Sequence, residues 1–217
     1  MKNHLALTVI DMWRGFLEQG FPLFCGDGAR PIIPIICRLI ERKLPEGTSL
    51  FFAADTHAPN DGEFAIFPPH CVRSGLEAQI IPDLSPYLDD AIPIDTTRYS
   101  AFFNTDLHQQ LQHIGAIRLI VCGLCTDICA RHTVADARYR DCAVKVRKDC
   151  VASFEEAAHA SGLRHMQTVR GTDHRRAGSM RKTTQLSPSE TILSGQIADF
   201  YFLHTHRILE SESTNPR

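Results

Sequence analysis

The chain has 217 residues, of which 43% are hydrophobic and 22% are charged, as is usual for a soluble globular protein with one well-buried domain. Its formal net charge of -2 provides no global field that would favour binding to nucleic acid or to an anionic membrane. No apolar run approaches the roughly 18 residues that a membrane span needs, and the first residues carry no cleavable signal pattern. We therefore expect a cytoplasmic protein whose eight cysteines are reduced.

Strand-like and helix-like segments alternate along the chain. The predicted strands are 5–10, 49–54, 91–95, 117–122 and 142–146, and the predicted helices are 31–43, 106–114, 127–138 and 154–169. Strands that alternate with helices indicate a parallel sheet that is covered on both faces. The sequence therefore predicts an α/β fold, a three-layer α/β/α sandwich with a central, mostly parallel sheet.

Two segments stand apart from this alternation. The segment 57–74 is rich in Pro, Gly and Asn without a sustained period, which predicts a long functional loop. After Gly171 the chain becomes polar and basic before apolar residues return. We expect a folded domain over 1–171 and a C-terminal tail over 172–217. The tail is either loosely packed or disordered, or an arm that packs in an oligomer.

A glycine turn joins the strongest predicted strand to a helix that contains a candidate nucleophile. Residues 123–129 read Gly-Leu-Cys-Thr-Asp-Ile-Cys. A cysteine in a first helical turn meets the positive end of the helix dipole and unpaired backbone N–H groups, which lower a thiol pKa and hold an oxyanion. Cys129 is therefore a candidate nucleophile, or else a buried small hydrophobe. Asp11, at another strand end, is a candidate base for the thiol, or else a turn cap.

A second group of residues has the chemistry of a metal site. Asp55 and His57 are two residues apart at a strand end, so their side chains point the same way, and the following loop can return His70 to them. Two histidines and one carboxylate form a facial set with open coordination positions, which suits a catalytic metal. The alternative is three polar loop residues without a metal, because eleven histidines make chance pairs common.

Together these residues resemble the isochorismatase-like cysteine hydrolases and, within them, the nicotinamidase branch. The motifs that carry the resemblance are residues 123–129 with 132–137, residues 55–57 with 67–72, residues 99–107, and residues 151–154. They extend over most of the chain, so that 1–171 is expected to be the hydrolase domain.

The resemblance implies a chemical role for several of these residues. Cys129 would attack the amide carbonyl of nicotinamide or a similar small carboxamide and release ammonia, leaving a thioester that water hydrolyses. Asp11 would act as base and then as acid. The backbone N–H groups of Cys125 and Cys129 would form the oxyanion hole, beside a cis peptide between Leu124 and Cys125.

The resemblance also implies how the substrate is held. A divalent metal, zinc first with iron or manganese as alternatives, would bind to Asp55, His57 and His70 and take the ring nitrogen. The expected substrate contacts are Phe16, Phe67 and Tyr99, and Glu63 lies where some members place a further ligand. Such an enzyme belongs to NAD metabolism and pyridine nucleotide salvage, acts on a small molecule rather than nucleic acid or membrane, and is often a homo-oligomer.

One position departs from the family pattern. The family carries a catalytic lysine three residues before the tyrosine of its Tyr-Ser-x-Phe motif, and this chain has Thr96 there, with no lysine between Lys43 and Lys145. Loss of such a cation costs on the order of 10²-fold in rate. Two alternatives to an active amidohydrolase therefore stay open. One is a catalytically impaired relative that binds a ligand or partner, and the other is a superfamily hydrolase for ureido or carbamoyl substrates.

Overall fold

The computed structural model describes residues 4–172, which contain a five-stranded sheet. Its strands are β1 (His4–Ile10), β2 (Ser49–Asp55), β3 (Ala91–Thr96), β4 (Ala116–Gly123) and β5 (Ala143–Val151). They lie in the order β3-β2-β1-β4-β5, and every neighbouring pair is parallel. Strands β1, β2 and β4 are buried along most of their length, as strands covered on both faces must be.

Helices cover the two faces of this sheet. They are α1 (Arg14–Leu17), α2 (Ile32–Lys43), α3 (Leu107–His113), α4 (Cys129–Tyr139) and α5 (Glu156–Arg170). Alternate residues of β1 face opposite ways: Leu7 and Val9 join the apolar core under α1 and α2, while Ala6 and Ile10 join the core under α3, α4 and α5. The prediction of a three-layer α/β/α sandwich is confirmed, and the sheet is entirely parallel.

The observed elements follow the predicted ones closely, with differences at short or irregular segments. Strand β5 runs on to Val151, well past its predicted end, because Val151 still pairs with Gly123 of β4 beyond a shift in register. Helix α1 and the 3₁₀ helices were not predicted, since most of them are single turns with too few residues to show a period, and the nine-residue Pro82–Asp90 contains an internal proline. The 3₁₀ helices are Asp27–Ala29, Gly62–Ala65, Leu76–Ala78 and Pro82–Asp90.

The turn between β4 and α4 is the most constrained part of the fold. Gly123 has φ +105°, and a Cβ placed there would lie 2.0 Å from the carbonyl oxygen of Ile10. Only glycine therefore fits where the end of β4 approaches the backbone of β1 this closely. The helix begins at Cys129, two residues later than the predicted helix at 127–138, because Ile128 has a non-helical backbone.

Within residues 4–172 no helix is both long and apolar enough to span a membrane. The predicted tail over 172–217 lies outside the described residues apart from Thr172, so the division at residue 171 stays a prediction.

Candidate active site

A pocket of about 390 Å³ opens where the carboxyl ends of β1, β2 and β4 meet. This is where open parallel sheets place their ligands. Its polar lining consists of Asp11, Asp55, Glu63, His70, Tyr99, Cys125 and Cys129, and its apolar lining of Phe16, Leu23, Phe67, Leu124, Ile128 and Phe154. The sequence-predicted site residues therefore surround one cavity, except His57, which lies buried behind the wall that His70 forms.

Asp11 and Cys129 form a pair at the base of this pocket. The Cys129 thiol and the Asp11 carboxyl group line the same pocket and influence each other's pKa, and Oδ1 of Asp11 accepts a 2.9 Å hydrogen bond from the backbone N–H of Asp55. Asp11 follows the last residue of β1 and is held in the left-handed region at φ +51°, which aspartate tolerates better than most residues. The strand end therefore fixes a carboxylate against the thiol.

The charges around this pair reverse one expectation from the sequence. We expected the start of helix α4 to lower the pKa of the Cys129 thiol, but burial, followed by the carboxylates of Asp11 and Asp55, raises that pKa well above its ordinary value. The backbone N–H of Cys125 lowers the pKa of the Cys129 thiol, but its effect is smaller than that of burial and the two carboxylates. Burial, followed by repulsion from Asp55, likewise raises the pKa of Asp11. Burial and the two carboxylates thus favour the protonated thiol over the thiolate, so a base would have to remove its proton in a reaction.

The turn before Cys129 presents backbone donors to the sulfur. The peptide between Leu124 and Cys125 is cis, as the family resemblance predicted. The N–H of Cys125 lowers the pKa of the Cys129 thiol, so it lies near the sulfur and is a candidate donor to an oxyanion on a bound carbonyl. Neighbouring contacts hold the turn in place: Thr126 donates its N–H to Ala152 at 2.9 Å, and its hydroxyl is 2.8 Å from Nδ1 of His159.

Asp55, His57 and His70 converge on one point at the end of β2. One ligand atom from each lies within 4.8 Å of the others. Oδ1 of Asp55 is 2.8 Å from Nε2 of His57, and Oδ2 is 3.1 Å from Nε2 of His70. Ligands about 2.1 Å from one zinc ion are about 3 to 3.5 Å apart, so this spacing fits a shared ion.

Further contacts turn both histidines toward that point. Nδ1 of His70 donates to the carbonyl of Pro68 at 2.8 Å, which leaves Nε2 as a ligand atom. Nδ1 of His57 lies 3.2 Å from Oδ2 of Asp61, whose other oxygen accepts a 2.9 Å hydrogen bond from Arg98. Carboxylates in this position commonly orient metal-binding histidines. Asp61 was not among the predicted site residues, although it follows His57 in the sequence by four positions.

The chemistry of this donor set fits a divalent metal. Both ring nitrogens of His57 are buried and, among the described residues, neither makes a well-aligned hydrogen bond. Burial opposes protonation of His57 and His70, yet Asp55 raises the pKa of both rings, which reflects uncompensated negative charge. A cation would supply the missing partner, because two imidazoles and a carboxylate suit Zn, Fe or Mn.

Aromatic rings and one buried acid complete the pocket. The rings of Phe16 and Phe67 lie edge-on to His70, with centroids 6.1 and 6.2 Å away. Glu63 is only 6% exposed, and its hydrogen bond with Tyr99 raises the pKa of the phenol to about 12. Phe154 also lines the pocket, whereas its sequence position suggested only the start of a helix. The substrate-binding roles of Phe16, Phe67 and Tyr99 stay predictions.

Thr96, the position at which the family resemblance predicts a lysine, does not contribute a charge to this pocket. Thr96 is buried, and its hydroxyl lies 3.0 to 3.4 Å from the carbonyl oxygens of Arg98, Ser100 and Phe103, so it closes the turn after β3. The Arg98 guanidinium is bound to Asp61 and lies 3.7 Å from Glu63. The residues that line the pocket within 4–172 include neither lysine nor arginine.

Comparisons with known proteins agree with this architecture. The Isochorismatase domain profile matches residues 5–175. The crystal structure of nicotinamidase from Bacillus subtilis is 32% identical, with a TM-score of 0.76 over 79% of this chain and 99% of its own. Pyrazinamidase of Pyrococcus horikoshii, solved in complex with zinc, is 29% identical, with a TM-score of 0.73 over 80% of this chain and 99% of its own.

A third relative carries a name that describes it as inactive. A protein of Arabidopsis thaliana named as a probable inactive nicotinamidase is 29% identical over 177 residues, which cover 77% of this chain and 90% of its own length. Taken with the domain match, the parallel sheet and the convergent pocket, these similarities establish the family. The chain belongs to the isochorismatase family and is a hydrolase of that superfamily close to the nicotinamidases.

Proposed function

We propose that this protein hydrolyses nicotinamide, or a similar small aromatic carboxamide, to the acid and ammonia. The observation that carries the proposal is a single pocket that presents Cys129 and Asp11 beside Asp55 and His70. A nucleophile and an orienting centre at one cavity suit a flat substrate with a reactive carboxamide at one end and a ring nitrogen at the other. This activity would belong to NAD metabolism and pyridine nucleotide salvage.

The chain's own groups are arranged for two successive acyl transfers. As the Cys129 sulfur bonds to the carboxamide carbon, Asp11, which lines the same pocket, accepts the thiol proton. The carbonyl oxygen gains negative charge and accepts a hydrogen bond from the N–H of Cys125. Asp11 then returns the proton to the departing ammonia. Water, deprotonated by Asp11, hydrolyses the thioester and restores the thiol.

Substrate binding relies on the other side of the pocket. Asp55, His57 and His70 would hold a divalent ion, with zinc preferred and iron or manganese as alternatives. When bound, that ion supplies a Lewis acid for a ring nitrogen. Phe16 and Phe67 form apolar walls on which an aromatic ring can pack, and they exclude water from the reacting end.

A second candidate function is a catalytically impaired relative that binds the ligand without fast turnover. The observation that favours it is Thr96, which forms turn contacts where the family has a lysine. Without that cation the pocket offers only neutral N–H donors to a developing oxyanion. A hydrolase for ureido or carbamoyl compounds is a weaker alternative, because its substrates offer no ring nitrogen to the Asp-His-His centre.

The deciding experiment measures ammonia release from nicotinamide by the full chain supplied with zinc or manganese. Cys129→Ala should abolish release, whereas Cys37→Ala, a matched thiol change on the far helix α2, should leave it unchanged. Release that survives Cys129→Ala contradicts the mechanism. A silent wild type that still binds nicotinamide in calorimetry supports the impaired relative, and release from a carbamoyl compound alone supports the third candidate.

A further inference from the structure

Two buried thiols touch each other beside the nucleophile. Sγ of Cys25 lies 3.7 Å from Sγ of Cys125, although the two residues are 100 positions apart in the chain. Among the described residues, no other two thiols form such a sulfur–sulfur contact, and all eight cysteines are free. A disulfide needs a sulfur separation of about 2.05 Å, so a shift of less than 2 Å would join these atoms. Neither sulfur has a role in the proposed hydrolysis.

Both thiols are reachable from cavities, although each residue is only 5% exposed. Cys125 lines the active-site pocket. Cys25 lines a separate groove between the 26–28 turn and the start of α5, and Phe154 borders both cavities. A small oxidant can therefore approach the sulfur pair from either side without unfolding of the core.

We propose that Cys25 and Cys125 are a redox modification site, which a peroxide oxidises to a disulfide. In the first step one thiol sulfur bonds to a peroxide oxygen, the O–O bond breaks, and a sulfenic acid and water form. In the second step the partner thiol attacks that sulfur and releases a second water. Two thiols are oxidised by two electrons, and one hydrogen peroxide is reduced to two waters.

The disulfide would alter the proposed active site through the backbone of Cys125. That residue supplies the N–H next to the nucleophilic sulfur, and Ala130 at the start of α4 donates to its carbonyl at 3.0 Å. Drawing Cys125 toward Cys25 moves the oxyanion donor away from the reacting carbonyl. This consequence rests on the proposed function, whereas formation of the disulfide does not. Reduction by an added dithiol reverses it.

The first experiment tests the covalent step without any activity measurement. Full-length Cys129→Ala protein, which lacks the nucleophile as a competing target, is exposed to hydrogen peroxide for hours. The contact with Cys25 and burial both raise the pKa of Cys125, so oxidation is slow. We expect an intact mass lower by two hydrogens, with the link mapped to Cys25 and Cys125 by tandem mass spectrometry.

Two matched variants in the same background decide the outcome. After the same peroxide treatment, the double variant Cys129→Ala, Cys25→Ser should show no loss of two hydrogens in its intact mass. The double variant Cys129→Ala, Cys37→Ser should show the same loss as the Cys129→Ala parent. A link that maps to another pair, such as Cys122 and Cys150, or one that persists with Cys25→Ser, overturns the proposal. Absence of any link while the protein stays folded also overturns it.

The second experiment measures the effect on catalysis. In the otherwise wild-type protein we expect the linked fraction to release ammonia at least about tenfold more slowly, as when an oxyanion donor is displaced, and to recover with dithiothreitol. Cys25→Ser should retain its starting activity and lose the dithiothreitol-reversible component. A fully linked wild type that keeps its rate overturns the regulatory consequence. If unoxidised protein is inactive, the proposed function fails while the mass result still decides the disulfide.

Discussion

Strands β4 and β3 end at the same edge of the sheet but deliver different chemistry to the pocket. Beyond β4, a glycine turn places the thiol of Cys129 beside Asp11 and the N–H of Cys125 near the sulfur. Beyond β3, Thr96 bonds to the carbonyl oxygens of its own turn, and the pocket-lining residues within 4–172 include no lysine or arginine. The β4 end therefore carries the groups that the proposed mechanism uses for attack, while the β3 end stabilises its own turn.

The difference between the two strand ends separates the groups that a cysteine hydrolase needs for nucleophilic attack from the groups that stabilise the negative charge of its oxyanion. In the proposed mechanism, Asp11 removes the thiol proton without help from β3. The proposed oxyanion then relies on N–H groups, since Arg98, a cation after β3, is bound to Asp61 and lies 3.7 Å from Glu63. This division gives separate predictions for each strand end.

The largest effect is expected at the base. Asp11→Asn keeps an oxygen that can accept the N–H of Asp55 but cannot take the thiol proton, so kcat should fall by about 10³-fold. Rates of ammonia release give the value, and the melting temperature and nicotinamide binding should change little. A loss below tenfold would show that another group serves as the base.

A large stability effect is expected at the glycine that begins the turn after β4. Gly123→Ala would place a Cβ against the backbone of Ile10 and should lower the free energy of unfolding by roughly 3 kcal/mol or more. Gly115→Ala, just before β4, is the matched control because it also has positive φ but meets no atom within 4 Å. It should cost about 1 to 2 kcal/mol. Urea titrations that give equal losses would contradict the steric argument.

A gain is expected when the missing charge is restored after β3. Thr96→Lys should raise kcat for ammonia release by about 10- to 100-fold, since a cation can then stabilise the thiolate and oxyanion. Thr96→Val, which removes the same hydroxyl contacts without adding charge, should give no gain and a similar loss of stability. If both variants fold and neither gains, the β3 end is not what limits the rate.

The smallest effect is expected at Asp61, which contacts the proposed metal ligand His57. Asp61→Asn removes the carboxylate charge beside His57 and should weaken zinc binding by about 10- to 100-fold in a metal titration. Asp95→Asn is a suitable control, because Asp95 forms only an exposed pair with Arg73 at 3.4 Å. Unchanged affinity in Asp61→Asn would show that His57 is oriented without its help.

Much of the fold could be predicted from the chain because its signals are local. Apolar runs such as 5–10 and 117–122 give the buried strands, and parallel pairing follows from the helices between them. The candidate nucleophile, base and metal residues could be named because they lie at strand ends, which meet at one edge of a parallel sheet. Single turns such as α1 escaped prediction since they have no period.

The sequence by itself determined the layered fold, the family and several of the residues that line one pocket, because these follow from periodicity and motifs between chain neighbours. The tertiary structure alone decided that the Cys129 thiol has a raised pKa, since that depends on burial and on carboxylates from β1 and β2. It alone brought Cys25 against Cys125. Coulomb interactions and sulfur contacts act through distance in space, which sequence separation does not report.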